Sequence, residues 1–346
     1  MQWIVAAGLT VGIIGCGKND AGTEGASAGT GGKVETPSGE KKMKIAVVYD
    51  SGGRGDKSFN DSAWNGIERA RQDFGIESVE VESKAAKDYE GNLSQMAEDG
   101  ADLVIAVGLA QGEPLAKVAA NFPDTKFAIV DGSGDAKNIR SLKFKEEEGS
   151  FLVGVAAGMV SKTGKIGFVG GQEIDLIKKF EYGFYAGAKW ANPNIVILPA
   201  KYTGSWDDQG KGKDLAALLF SQGADVVYAA AGRAGLGTIK AAKDAGKFCI
   251  GVDSDQDDLE KGVVLTSMIK RVDEAVYATI KDLKEGKYSA GETIYDLKSN
   301  GVGTSDFRNT KSVIGDAGMK KIEEAKAKII AGEVKVPANQ AEFNAK

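Results

Sequence analysis

The residues able to do chemistry in this chain gather where short apolar runs end. The run ending at Tyr49 is followed by Asp50-Ser51-Gly52-Gly53-Arg54-Gly55-Asp56-Lys57-Ser58-Phe59-Asn60-Asp61. Later runs are followed by Gly108-Leu109-Ala110-Gln111, by Asp131-Gly132-Ser133, and by a loop over 201–208 that carries Trp206. Three more lead into Gly232-Arg233-Ala234-Gly235, Asp253-Ser254-Asp255-Gln256 and Lys270-Arg271. Carboxylates, an amide, a lysine, two aromatics and glycines suit the capture of a polar solute better than bond-making. Histidine is absent, which removes the commonest general base and metal ligand and makes any Ser/His/Asp or Cys/His set impossible. The acidic run at 253–258 invites a calcium or metal-dependent hydrolase reading. It lacks the glycine and terminal glutamate spacing of an EF-hand, and such a hydrolase usually places its cluster after the first strand. No metal is expected. Gly232 to Gly237 has the order G-x-x-G-x-G rather than the dinucleotide order, and no G-x-x-x-x-G-K-[ST] loop exists, so no cofactor is expected either.

These residues need elements to hold them. Apolar runs at 44–49, 78–81, 102–107, 126–130 and 141–144 read as strands, with helical spacing at 62–74, 89–98 and 113–121 between them. The rhythm restarts with a small-residue-rich helix at 147–160. Strands follow at 165–169, 195–198, 225–230, 247–252 and 263–267, and helices at 174–190, 210–221, 236–245 and 273–285. Near-continuous apolar strands alternating with helices imply parallel sheets covered on both faces. Two series imply an α/β protein of two doubly wound parallel-sheet lobes joined by a hinge. Lobe 1 is expected over 44–145 plus a return segment at 268–309, lobe 2 over 146–267 plus 310–346. Such sheets bind ligands beyond the carboxyl ends of their strands, so the loops above should face each other across a cleft.

The chain has 346 residues, enough for two domains, and an ordinary 42% apolar and 27% charged composition. A net charge of −5 with no basic stripe argues against nucleic acid as a partner and fits a monomer. A short apolar segment ends at Gly15-Cys16. It reads as a signal peptide over 1–15, and Ile13-Ile14-Gly15-Cys16 as a lipobox that lipidates Cys16. Residues 16–43 carry almost no large apolar side chain and cannot bury enough surface to fold. They read as a tether spanning about 25–30 Å. No later run is long enough to cross a bilayer. The expected location is the extracytoplasmic face of the cell membrane, reached through the lipid. Cys249, in an apolar run, reads as core.

Four motifs in order carry a family resemblance: Asp56-Lys57-Ser58-Phe59-Asn60 with Trp64 and Gly66; Glu148-Gly149-Ser150-Phe151-Leu152-Val153-Gly154; Gly251-Val252-Asp253-Ser254-Asp255-Gln256; and Leu265-Thr266-Ser267-Met268-Ile269-Lys270-Arg271. Together they cover about 44–337, and the chain resembles the basic membrane protein family of lipoproteins. The resemblance implies a type I periplasmic-binding-protein-like fold that delivers purine nucleosides to the permease subunits of an ABC importer. It implies ribose contacts for Asp253 and Lys270 and an aromatic contact at Phe59. A purine is flat with a polar edge, so Phe59 and Trp206 are expected to stack on it. Asp131 and Asn60 are expected to read its edge, and Gly232 to let the backbone approach the sugar. Asp50 is expected to organise its loop. Arg233 departs from the small residue common there. Blander readings stay open: Asp131 as a turn former, Phe59 and Trp206 as lobe packing. So do other functions, namely a surface antigen or adhesin of the same fold, a receptor for another polar solute such as a sugar, or a nucleoside-processing enzyme. For anchoring, labelled palmitate is expected to enter the chain in its bacterium and to be lost in Cys16→Ser; equal labelling of both would refute the lipid.

Overall fold

Alternate side chains of the first strand enter two different cores. Ile45, Val47 and Tyr49 join one apolar cluster, and Ala46 and Val48 another. A strand apolar on both faces must be sandwiched between helices, and that is the architecture of the computed structural model, which describes residues 42–345. The expected signal peptide, Cys16 and the tether up to residue 41 lie outside the described residues.

Along the chain the first series runs β1 (Lys44–Tyr49), α1 (Phe59–Phe74), β2 (Glu77–Glu82), α2 (Tyr89–Glu98), β3 (Leu103–Val107), α3 (Gly112–Asn121), β4 (Lys126–Val130) and β5 (Ile139–Phe144). The second runs α4 (Glu146–Val160), β6 (Lys165–Gly170), α5 (Asp175–Ala191), β7 (Val196–Ile197), β8 (Lys201–Tyr202), α6 (Gln209–Ser221), β9 (Val226–Ala230), α7 (Gly235–Ala245), β10 (Phe248–Asp253) and β11 (Val264–Lys270). The chain then continues through α8 (Val272–Lys284), β12 (Gly291–Tyr295), β13 (Val302–Thr304), α9 (Lys311–Ile330, broken at Gly315) and α10 (Gln340–Asn344). One sheet has the order β12-β5-β4-β3-β1-β2 and is wholly parallel. The other has the order β13-β11-β10-β9-β6-β7, with β8 also on β6, and only β13 is antiparallel.

Sheet membership narrows the expected return segment of 268–309. Met268 to Lys270 belong to β11, paired on β10, and Val302 to Thr304 pair back on β11. Both stretches therefore sit in the second sheet, and only α8 and β12 rejoin the first lobe. The strand expected at 195–198 shrinks to two residues, and the loop at 201–208 begins as β8. The chain crosses between lobes three times, and the crossings bond to one another. Lys145 N donates to Tyr295 O at 2.9 Å, Arg271 N to Gly301 O at 2.9 Å, and Leu297 N to Glu148 Oε2 at 3.0 Å. No helix among the described residues is long and apolar enough to cross a membrane.

Helices α4 and α5 pack backbone to backbone. A Cβ on Gly187 would lie 1.9 Å from the Phe151 carbonyl oxygen, and one on Gly154 2.2 Å from that of Phe184. Neither neighbour is a side chain that can swing away, so overpacking must part the helices. Gly187→Ala is expected to lose about 1–3 kcal/mol, read as a lower urea midpoint at constant m-value. An unshifted midpoint would show that the helices do not approach this closely.

Candidate functional site

The loops after β1, β3 and β4 face those after β6, β9, β10 and β11 across a cavity of about 390 Å³. It is lined by every residue expected from the sequence: Asp50, Phe59, Asn60, Asp131, Trp206, Gly232, Asp253 and Lys270. Hydrogen bonds from Ser58 to Asp253 and from Arg233 to Arg54 join the two lobes around it.

Lys270 ends β11 and is 1% exposed. Its ammonium bonds Asp131 Oδ2 at 2.7 Å and Glu146 Oε1 at 3.0 Å. Glu146 in turn holds Lys179 at 3.0 Å. The rings of Phe59, Phe144 and Phe180 surround the same ammonium at 5.3, 4.9 and 5.4 Å. Burial works against the charge, but Asp131, Glu146 and Asp253 outweigh it and hold Lys270 protonated well above the usual lysine range. Asp131, expected at a base edge, is thus tied to the lysine, and its Oδ1 is buried without a partner.

The first loop is organised by Asp56. Its carboxylate accepts from the backbone N–H of Ser58 (3.0 Å), Asn60 (2.8 Å) and Asp61 (3.1 Å), the free amides at the start of α1. Ser58 at the N-cap makes no side-chain cap. Its hydroxyl is free to donate across the cleft to Asp253 Oδ2. Ser254 Oγ reaches back to Ser58 O at 2.9 Å, and Gln256 Nε2 to Lys57 O at 2.8 Å. Phe59 and Asn60 follow directly as the first turn of α1. Asn60 Nδ2 donates to Asp50 Oδ1 at 3.0 Å, while Asn60 Oδ1 is buried and unpartnered. Asp50 also accepts from Gly52 N at 2.9 Å, as an organiser of its loop does.

Trp206 enters from the second lobe. Its ring lies on Gly171, where a Cβ would come within 2.2 Å of Cζ3, and its carbonyl accepts from Ala234 N at 3.0 Å. Gly232, at φ +55°, follows β9 in a left-handed turn, and a Cβ there would meet the Trp206 carbonyl at 3.3 Å. The two strand-end aspartates, Asp131 and Asp253, also have positive φ, 66° and 63°. That backbone is uncommon for a non-glycine residue and costs about 1–3 kcal/mol.

Sequence reasoning did not single out Glu146, Phe180 or the capping role of Asp56. Glu146 stands two residues past β5, so the strand-end rule that located the others would have found it. Phe180 lies on the buried face of α5, where no pattern separates it from core. Among the described residues no group of His, Cys, Asp or Glu is arranged to hold a metal ion.

Two doubly wound lobes closed on a polar cleft lined by aromatics define a solute-binding protein of the type I periplasmic class. The chain belongs to the Bmp family, PnrA-like ABC transporter substrate-binding proteins, whose family model matches residues 42–340. An ABC transporter nucleoside-binding protein, BmpA, of Lactococcus lactis is 36% identical over 94% of this chain and 95% of its own. Basic membrane protein A of Borreliella burgdorferi is 38% identical over 88% and 91%. Among solved structures, an ABC transporter solute-binding protein of Aeropyrum pernix superposes with a TM-score of 0.80 at 30% identity, covering 88% of this chain and 96% of that one.

Burial raises the carboxyl of Asp253 to about 7 against the pull of Lys270, and that of Asp50 to about 6. An unfolded aspartate titrates near 4. Between these values the folded chain binds more protons than the unfolded one. The stability that Asp253 contributes is therefore complete below about pH 4 and is lost as pH rises through about 7. Asp253→Asn, neutral throughout, is expected to flatten the decline of urea stability between about pH 4.5 and 7.5 by about 1–3 kcal/mol in ligand-free protein. Parallel pH profiles would contradict the raised carboxyl.

Proposed function

We propose that the cleft captures a purine nucleoside and that the closed form delivers it to ABC permease subunits, from a monomer anchored through Cys16 on the extracytoplasmic face of the membrane. The observation that carries this reading is the composition of one cavity. Two aromatics from opposite lobes, Phe59 and Trp206, share it with a fully buried lysine, with Asp253 and with Asp131, whose Oδ1 has acceptor capacity to spare. A volume of about 390 Å³ is at the lower end of ligand pockets, about 300–1,000 Å³, and suits one nucleoside. The nucleoside-binding name of the Lactococcus relative supports the same class.

The bonding pattern also suggests how the polar work is divided. Lys270, Asp131 and Asp253 interact as one charged group, which suits vicinal sugar hydroxyls, since each hydroxyl both donates and accepts. Asp50 and Asn60 form a separate acceptor–amide pair, which suits the edge of a base. Gly232 leaves room for backbone approach beside Trp206. Binding energy is realised only where the lobes meet, so ligand favours the closed form as far as it binds that form better. We read the protein as a receptor and not an enzyme, the role its family of transporter substrate-binding proteins supports; the chain also carries no histidine to serve as a general base.

Calorimetry on refolded, ligand-stripped protein tests this. Inosine, guanosine or adenosine is expected to bind far more tightly than free base or free ribose and to be recovered intact. Trp206→Ala is expected to lose about 1–3 kcal/mol, one stacking face. Asp253→Ala is expected to lose more, because the sugar hydroxyl that it would hold is then left without its acceptor in a closed cleft. Tight binding of ribose or an amino acid with no heat from nucleosides would overturn the assignment, and release of free base would make the protein an enzyme.

A further inference from the structure

Arg233 is the one cavity-lining cation besides Lys270 among the described residues. It follows Gly232 at the end of β9, in the second lobe. Its Nη2 donates across the mouth of the cleft to the carbonyl oxygen of Arg54, in the first lobe. That acceptor is rigidly held. The guanidinium of Arg54 bonds Asp61 at 2.9 Å and Glu80 at 2.7 Å and lies 4.3 Å over the ring of Trp64. Its backbone N–H donates to Glu82 Oε1 at 2.9 Å. The glycines on either side, Gly53 and Gly55, hold Arg54 between two left-handed turns at φ +61° and +83°, and a Cβ on either would only touch Arg233 Nη2, at 3.7 and 3.9 Å.

One buried donor of this guanidinium is unused. Arg233 Nε is buried and has no partner. A buried N–H of a charged group that is left unpaired is costly, and here it belongs to a side chain that lines the cavity. We propose that Arg233 is a specificity-determining residue: Nη2 latches the lobes while Nε donates to one neutral acceptor oxygen of the bound ligand. The acceptor is neutral because Asp50 and Asp56 line the same cavity and Glu82 flanks Gly53, a neighbourhood that repels an anion. Closure and recognition then become one event. A ligand lacking that oxygen closes the lobes over an unpaired donor, so it is rejected at the closing step. The proposal rests on the nucleoside reading above.

Inosine is a suitable probe because its exocyclic oxygens can be removed singly. Its 2′-, 3′- and 5′-deoxy analogues each lack one hydroxyl, and purine riboside lacks the base carbonyl. Calorimetry with all five ligands is run on the unchanged protein and on Arg233→Ala and Arg233→Lys, with each variant's fold checked by its thermal unfolding. In the unchanged protein, one of the four deletions is expected to cost about 10- to 100-fold in affinity through this contact. That same discrimination is expected to collapse to about twofold in both variants, while the other three discriminations persist. Weakening of all five ligands by one common factor would leave Arg233 a latch that reads nothing. Unchanged affinities in both variants would make the contact incidental. Tighter binding of inosine 5′-monophosphate than of inosine would make Arg233 an anion site. Each of these three results overturns the proposal and leaves the nucleoside reading intact. No heat from inosine, guanosine or adenosine in the unchanged protein would overturn the nucleoside reading itself, and this inference with it.

Discussion

A single buried ammonium sets the terms for the site. Lys270 is 1% exposed, and a charge taken that far from water is tolerated only with close, well-bonded partners. Its partners come from different parts of the chain. Asp131 stands at the end of a first-lobe strand, Glu146 at the start of the helix beyond the first crossing, and the lysine itself at the end of a second-lobe strand. The pairing is complete only with the lobes together. The same contact that makes the lysine affordable therefore ties the geometry of the cleft to the hinge, and the three surrounding phenylalanine rings add favourable faces without competing for its hydrogen bonds.

The loop after β1 shows how the rest is arranged to serve that contact. A serine before a helix ordinarily caps it. Here Asp56 takes the helix amides instead, and Ser58 bonds Asp253 on the opposite lobe. The substitution of one cap for another turns a local feature into an interlobe one. The left-handed backbone at Asp131 and Asp253 has a related effect. It turns carboxylates that would otherwise continue their strands toward the cleft, at a cost in strain borne by the packed sheets beneath.

Much of this was legible in the residues themselves. Runs such as Ile45 to Tyr49 and Val226 to Ala230 are apolar on both faces, and only a parallel sheet between helix layers buries both. Once that is granted, strand ends become candidate positions, which is why Asp50, Asp131, Asp253 and Lys270 stood out. What escaped had physical reasons. Strands β12 and β13 are short edge strands, β12 with exposed residues, and their partners lie far away in sequence, Arg140 to Phe144 and Met268 to Lys270. Glu146 stands near a strand end as well, but it is the first of three consecutive glutamates that a helix N-terminus favours by itself, and nothing local marks it as the one that reaches Lys270. The ion pair between Asp131 and Lys270 depends on how two lobes meet, and no local pattern encodes that.

The late return of the chain to its first lobe bears on how the molecule is made. The first sheet is not finished until Gly291 to Tyr295 pair with Arg140 to Phe144. Helix α8 must also settle on α1, where Gly66 leaves only 2.4 Å between a would-be Cβ and the Asp273 carbonyl oxygen. Everything belonging to the second sheet up to Lys270 leaves the ribosome before either piece. The first half of the sequence is therefore an incomplete domain throughout most of synthesis, with an open sheet edge and an uncovered helix face, and neither lobe can be cut out of the chain as a continuous fragment.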